Sequence, residues 1–440
     1  MSYWHERIQA RASKADGDER NDFQRDKARI MHSAAFRRLQ AKTQIMGVGV
    51  ADFFRTRLTH SLEAAQIGTG ICSQLCRSQP EIAKALKLDE HLIETISLAH
   101  DIGHPPFGHG GELALQYMMH EHGGFEGNGQ TFRILTRLET YSKLAGMNLC
   151  RRSLLGVMKY PNFMSVLTNT ACMPQKSERF SQVKAHSWHP PKALYDCDRD
   201  IFDWLLDGLS VADKTQFMTF EQFSDRHAKT LHKSIDSSIM ELADDIAYGV
   251  HDLEDAVAMK LVTQASFEQE VTQAILGVDH EWLSHNIRQV QQDLFGDEPY
   301  KRKNAIGALV NLFISEIHII QKHVFDEALL DFQAQLPASV EHALSVFKGY
   351  VFRKVIRKPE MQHIEFKGQK IVMALFDVFN NEPSRLLPTN TNMRWQNADG
   401  DTEKHRVIAD YISGMTDDYA SRMYASLFLP KTHNLGDLSY

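Results

Sequence analysis

Four side chains constrain the fold of this chain more than any others: His60 in RTRLTHS, the adjacent His100 and Asp101 in LAHDIGH, and Asp244 in ELADDIAYGVHD. Neutral imidazole and carboxylate together suit a divalent metal such as Mn, Mg, Ni, Fe or Zn, and a mixed set of this kind tolerates several ions. A histidine alone is usually a satisfied core or surface residue. A His-Asp pair at the end of an apolar helix, flanked by a second histidine helix and an acidic one, is harder to explain as packing. A fold that uses these groups must bring three separate helices to one point.

The rest of the chain is helical in pattern too. Helical periodicity runs through 26–42, 58–75, 91–99, 112–120, 198–206, 234–259, 305–331 and 405–427. Alternating patterns are short and few, and His363–Ile371 is the best strand candidate. Breaks fall at Gly47, at Gly103 with Pro105 and Pro106, and at Gly123 with Gly124. With 440 residues, 43% of them hydrophobic, the chain buries a large core. The expected fold is an all-α globule. Residues 1–275 form a catalytic core with N-terminal helices and a loop insertion near 160–195. Residues 276–440 form a C-terminal helical portion packed on that core, across a soft boundary.

A net charge of −7 gives no global polyanion-binding signature. Basic residues are uneven, however: between Arg151 and Tyr195 lie seven Lys or Arg and a single acid, Glu178. Arg25, Lys27, Arg29, Arg37, Arg38, Lys42, Arg55 and Arg57 crowd the early segment. Local positive potential suits phosphate ligands, with a solvated charged face as its ordinary alternative. The five cysteines form no CxxC pairs, which argues for a reducing compartment without disulfides. The first residues are charged and lack an apolar secretion core. No run approaches the roughly 20 apolar residues that span a bilayer. The expectation is a cytoplasmic protein without membrane attachment.

Within ADDIAYGVHDLED, residues Asp244, Tyr248 and Asp252 fall within roughly 80° of one helix face, whereas Asp245 points about 100° away. Periodicity therefore selects Asp244 as the inward carboxylate and leaves Asp245 supporting it. An exposed acidic helix fits the segment equally well, but a phenol between the two acids favours contact with a phosphate or sugar oxygen. In HDIGHPPFGHGGE, Gly103 and the two prolines force a rigid turn after His100 and Asp101, and His104 is placed as a supporting partner. His109 and Glu112, three apart, can form a general acid/base dyad. On spacing alone, capping by Glu112 with His109 exposed is slightly favoured. Arg57 lies one helical turn before His60, where a guanidinium fork suits a phosphate chain or stands solvated. Gln44 is a candidate for a sugar hydroxyl or base edge. Glu126, Asn128 and Gln130 cluster before a helix in GGFEGNGQTF, which also reads as a capping loop. Phosphate-loop, zincin, nucleophile-elbow and dinucleotide motifs are absent from the chain.

These blocks, with RRLQAKTQ, RTRLTHSLE, LLGVMKYP and VIADYISGMTDDYA, resemble the deoxyguanosinetriphosphate triphosphohydrolase family of the HD superfamily, in family order from about residue 25 to 430. The resemblance implies an HD-domain helical globule with additional C-terminal helices. It implies one divalent metal per subunit on His60, His100, Asp101 and Asp244, and a catalytic pair, His109 and Glu112, beside the α-phosphate. It further implies phosphate contacts from Arg57 and Lys192, although HPPKALY has Ala193 and Leu194 where a glycine is more usual. Gln44 and Asp252 would hold the sugar 3′-hydroxyl, Tyr248 would lie near the sugar, and Asn128 in the substrate pocket.

The implied reaction converts dGTP, or another dNTP, into deoxynucleoside and inorganic triphosphate. The implied partners are a dNTP substrate, a nucleotide effector, single-stranded DNA and further copies of the chain in a hexamer. The competing expectation is a regulatory protein that binds dNTPs or single-stranded nucleic acid with little turnover, motivated by the basic segment 151–195.

Overall fold

Side-chain caps mark the helix starts that build the centre of the molecule. Asn21 accepts from the Gln24 amide at 2.7 Å while Gln24 Oε1 accepts from the Asn21 amide, opening α1 (Asp22–His32). Thr56 and Thr59 do the same for α2 (Arg57–Ser78), and Asp89 caps α3 (Glu90–Ala99). The apolar face of α3, with Leu92, Ile93 and Ile96 fully buried, packs against α1, α2 and α6 (Ile235–Ile246). Each such side chain contributes about 1.5–3 kcal/mol. Gly68 lets α2 approach α3 closely, since a Cβ there would meet Ser97 Oγ at 2.9 Å. This packing brings His60, the end of α3 and Asp244 to one level.

The computed structural model describes residues 3–9, 17–44, 55–175 and 182–430. The expected break at Gly47 lies outside them. Further elements are α4 (Gly108–Met119), α5 (Gly127–Arg133), α7 (Asp252–Ala258), α8 (Pro299–Glu316), α9 (Ala338–Val351), α10 (Pro359–Asn381), α11 (Gly400–Ser413) and α12 (Asp417–Phe428). Two small antiparallel hairpins join them: β1 (Phe220–Glu221) with β2 (Lys229–Thr230), and β3 (His318–Gln321) with β4 (Phe332–Gln335). The all-α reading holds. Among the described residues no helix is long and apolar enough to cross a membrane.

Two apolar cores result. One draws on residues from Phe23 to Val355 and surrounds α2, α3 and α6. The other joins α4 to α10, α11 and α12 through Leu115, Phe125, Trp188, Tyr195, Phe376 and Ile408. The irregular stretch near 160–195 thus contributes side chains to the second core.

Four local expectations need correction. His363–Ile371 is not a strand but lies inside α10, which begins with Pro359 at a position needing no amide donor and buries Gly368, Val372, Leu375, Phe376 and Phe379 at helical spacing. The segment 305–331 is not one helix. After Glu316 the β-branched pair Ile319–Ile320 alternates in β3, with His318 opposite Gln335. The segment 26–42 breaks at Ser33, whose hydroxyl caps the following turn by accepting from Phe36. The segment 405–427 breaks at Gly414, and Thr416 caps α12.

Candidate active site

The apolar run of α3 delivers His100 at its end and Asp101 just beyond it. Ligand atoms of His60, His100 and Asp101, all buried, lie within 4.8 Å of one another. His100 Nδ1 donates to the Ser97 carbonyl at 2.6 Å. That bond leaves a lone pair on Nε2, which is buried and has no hydrogen-bond partner. Asp244 Oδ1 stands 3.1 Å from His60 Nε2 and 3.5 Å from His100 Nε2, and its other oxygen accepts from Lys159 Nζ at 2.9 Å. Asp101 accepts from Arg57 Nη1 at 2.6 Å, while His104 Nδ1 lies 3.1 Å from its other oxygen.

Burial opposes charge on both acids, yet the basic groups around them prevail. His104, His100 and Arg57 hold Asp101 well below the usual carboxylate range, and Lys159 and His100 do the same for Asp244. Burial also works against protonation of His60, but Asp244, Asp101 and Asp252 outweigh it and lift the imidazole to about 9. Negative charge with an unused imidazole lone pair is the donor set a divalent cation requires.

His109 is set by a strained turn. Phe107 adopts a left-handed conformation with φ 62° and Gly108 follows at φ 56°. A Cβ on Gly111 would stand 2.0 Å from the Pro106 carbonyl oxygen, so the first turn of α4 needs glycine there. His109 Nδ1 lies 2.8 Å from Glu112 Oε2. Glu112 Oε1 accepts from the Gly127 amide at 2.8 Å and has Lys192 Nζ at 3.6 Å. Glu112 therefore reaches the neighbouring α5 and the His109 ring, and the start of α4 has no side-chain cap. Burial would raise the Glu112 pKa, but Lys192, His109 and His104 keep it well below the usual carboxylate range. Glu112 is 1% exposed and the His109 side chain 58%, so a fixed anion orients an imidazole open to a ligand. His104 stands between the two halves: besides its place beside Asp101, its Nε2 lies 3.5 Å from where a Cβ of Gly127 would be, next to Glu112.

The remaining candidates divide into two groups. Both carboxylate oxygens of Asp252 are buried without a hydrogen-bond partner, and burial pushes this acid up to about 7. Gln44 Oε1 is likewise buried and unpartnered. The half-buried Tyr248, on the wider π-turn Ala247–His251 that joins α6 to α7, is raised to about 12 by burial. Asn128 and Lys192 both bind Glu126 Oε1, at 2.7 and 3.0 Å. Asp245 turns to Lys348 of α9 and is not drawn to the histidines.

Three contributors were not singled out from sequence. Lys159 pairs with Asp244; its signal was a lone cation in the apolar run LLGVMKYP. Lys42 is buried and donates to the His104 carbonyl at 2.6 Å and the Ser413 carbonyl at 2.8 Å; burial lowers it to about 7. Asp417 accepts from the Phe107 amide at 2.8 Å and from both the amide and the hydroxyl of Thr43. The C-terminal helices thus hold the turn between His104 and His109. Among the described residues of the basic segment, four cations are engaged internally: Arg151 pairs with Glu6 and Asp207, Arg152 with Asp236, Lys159 with Asp244, and Lys192 with Glu126.

The chain is 53% identical to a deoxyguanosinetriphosphate triphosphohydrolase-like protein of Shewanella halifaxensis (strain HAW-EB4), over 100% of this chain and 99% of that one. It is 52% identical to the protein of the same description in Shewanella sp. (strain ANA-3), with the same coverage. The chain belongs to the deoxyguanosinetriphosphate triphosphohydrolase-like family. Residues 57–167 match the HD domain and residues 334–426 match the phosphohydrolase-associated domain. The HD match contains His60, His100, Asp101, His109 and Glu112, and the second match contains Ser413 and Asp417. HD domains bind divalent metal, and the His60–His100–Asp101 cluster of this family member can hold one.

Proposed function

We propose that the protein is a metal-dependent dNTP triphosphohydrolase, acting on dGTP or another dNTP to release the deoxynucleoside and inorganic triphosphate. One observation carries this reading: the ligand cluster and the His109–Glu112 pair share one wall through His104, with the unpartnered oxygens of Asp252 buried close to His60. The names of the relatives agree with it. His60, His100, Asp101 and Asp244 would hold one divalent ion per subunit. When bound, such an ion supplies Lewis-acid polarisation of a phosphoryl oxygen.

The side chains then divide the work. Arg57 grips Asp101 through Nη1 and has a buried Nε without a partner, so it can face both the ligand cluster and a phosphate oxygen. Lys192 adds positive charge toward the triphosphate. His109, oriented by Glu112, exchanges a proton with the attacking water or the leaving 5′-oxygen. Asp252 and Gln44 offer unpartnered oxygens that suit the donor of a sugar 3′-hydroxyl. Tyr248 and Asn128 complete the substrate pocket, and His104 supports the cluster. The reading extends to a cytoplasmic homo-oligomer, a hexamer with a nucleotide effector.

The test is incubation of metal-loaded protein with each dNTP separately, followed by anion-exchange separation, with His100→Ala as control. Deoxynucleoside and intact triphosphate, lost in the variant, are the expected products. Absence of triphosphate from every dNTP, with or without a second nucleotide, would reject the proposal in favour of a binding protein.

A further inference from the structure

A second arginine cluster lies outside the catalytic machinery. Asp18, Arg20, Arg25, Ala28, Arg29, His32 and Tyr141 line a cavity of about 310 Å³ between the start of α1 and the loop after residue 139. None of these residues belongs to the ligand cluster or the His109–Glu112 pair.

Arg25 gives the cavity its character. The residue is 6% exposed, which is unusual for an arginine facing a cavity. Its Nε donates to Asp18 Oδ2 at 3.1 Å. Its Nη1 is buried and makes no hydrogen bond, with Asp22 Oδ1 standing off at 3.6 Å. Asp18 also accepts from Arg20 Nε at 3.0 Å, so its carboxylate is shared between two guanidinium groups. Arg29 reaches the same cavity while donating to the carbonyls of Met147 and Asn148 at 2.8 and 2.5 Å. The described lining therefore carries three guanidinium groups against one carboxylate. A buried donor without an acceptor is destabilising, and an anionic oxygen relieves it. Planar guanidinium groups match phosphate in particular. Tyr141, 46% exposed, offers a ring at the rim on which a base can stack. A volume of about 310 Å³ suits a small ligand rather than an extended polymer.

We infer that this cavity is a binding site for a phosphorylated small ligand, with phosphate oxygens on Arg20, Arg25 and Arg29. The ligand is either a nucleotide, whose base covers Tyr141, or a free inorganic phosphate. The test is equilibrium dialysis of metal-stripped full-length protein against labelled pyrophosphate, labelled AMP and a labelled oligothymidylate. Arg20→Glu is the main variant, because that side chain is exposed, and circular dichroism checks that its fold matches wild type. The expected result is loss of one equivalent of bound pyrophosphate per chain, or at least tenfold weaker binding. If Tyr141→Ala also weakens AMP at least threefold while sparing pyrophosphate, the ligand is a nucleotide. If AMP binding is unaffected by both variants while Arg20→Glu loses pyrophosphate, it is inorganic phosphate. Identical pyrophosphate binding by wild type and Arg20→Glu overturns the site, and a loss confined to the oligonucleotide overturns the small-ligand assignment.

Discussion

Replacing Asp252 by asparagine should shift the stability of the metal-free protein in a direction set by pH. Asp252 is 1% exposed, both its oxygens lack partners, and burial raises its pKa from 3.8 to about 7. The unfolded chain releases this proton at the ordinary value and the folded chain only near 7. The fold is therefore penalised by the ionisable group to an extent that is absent in strong acid, grows with pH through that window, and is complete above about pH 7. At about 1.36 kcal/mol per pH unit the full penalty is about 4 kcal/mol, of which roughly 2–3 kcal/mol accrues between pH 5 and pH 8. Water drawn into the cavity on ionisation offsets about half, leaving about 1–2 kcal/mol. Any pH-independent loss from burying the amide cancels when the two pH values are compared. With about 2.1 cal/mol/K of unfolding entropy per residue, a chain of this length moves by about 1 °C per kcal/mol. Thermal unfolding in chelator should thus show Asp252→Asn faring about 1–2 °C better, relative to wild type, at pH 8 than at pH 5. Turnover should fall in the same variant. The same melting difference at both pH values would refute the argument and assign Asp252 a partner.

Further tests address the other parts of the site. His109→Gln and Glu112→Gln should each lower turnover by roughly 10²–10⁴-fold while bound metal, measured by elemental analysis, is retained. Lys159→Met leaves Asp244 with an unpaired oxygen; Mn affinity in calorimetry should fall roughly 10–100-fold, as for loss of a supporting partner, and unchanged affinity would remove Lys159 from that role. Asp417→Asn removes a charged acceptor shared by Phe107 and Thr43 and should lower kcat about tenfold or more with the metal content unchanged, measured alongside wild type. Exhaustive chelation should abolish triphosphate release, and Mn should restore it.

How much of this was legible in the chain depends on distance along it. The helices that carry His60, His100, Asp101 and Asp244 are visible because caps and apolar spacing act within a few residues, and the spacing of His109 and Glu112 placed both on one turn. Its ambiguity, cap or dyad, is resolved in the structure by Gly127, fifteen residues away, whose amide takes the second Glu112 oxygen. Lys42 and Asp417 were not singled out because their partners are set by tertiary packing between distant segments, which periodicity does not record. The strand assigned at 363–371 failed for a related reason: nine residues are too short a window to distinguish alternation from the longer helical pattern that Pro359 begins.

The bonds from Asp417 to Phe107 and Thr43 have a consequence for the life history of the molecule. The ligand cluster lies within segments made early in synthesis, yet the turn that presents His109 is pinned by a residue in the last described helix. A nascent chain that has emerged only through α7 contains every proposed metal ligand and lacks the clamp on the turn. Proteolytic clipping between α11 and α12 would detach Asp417 and return a finished molecule to the same condition, capable of holding an ion but poorly able to aim its imidazole. Loss of the far end of the chain would then silence turnover before it disturbs metal content, which makes the ratio of the two a gauge of intactness.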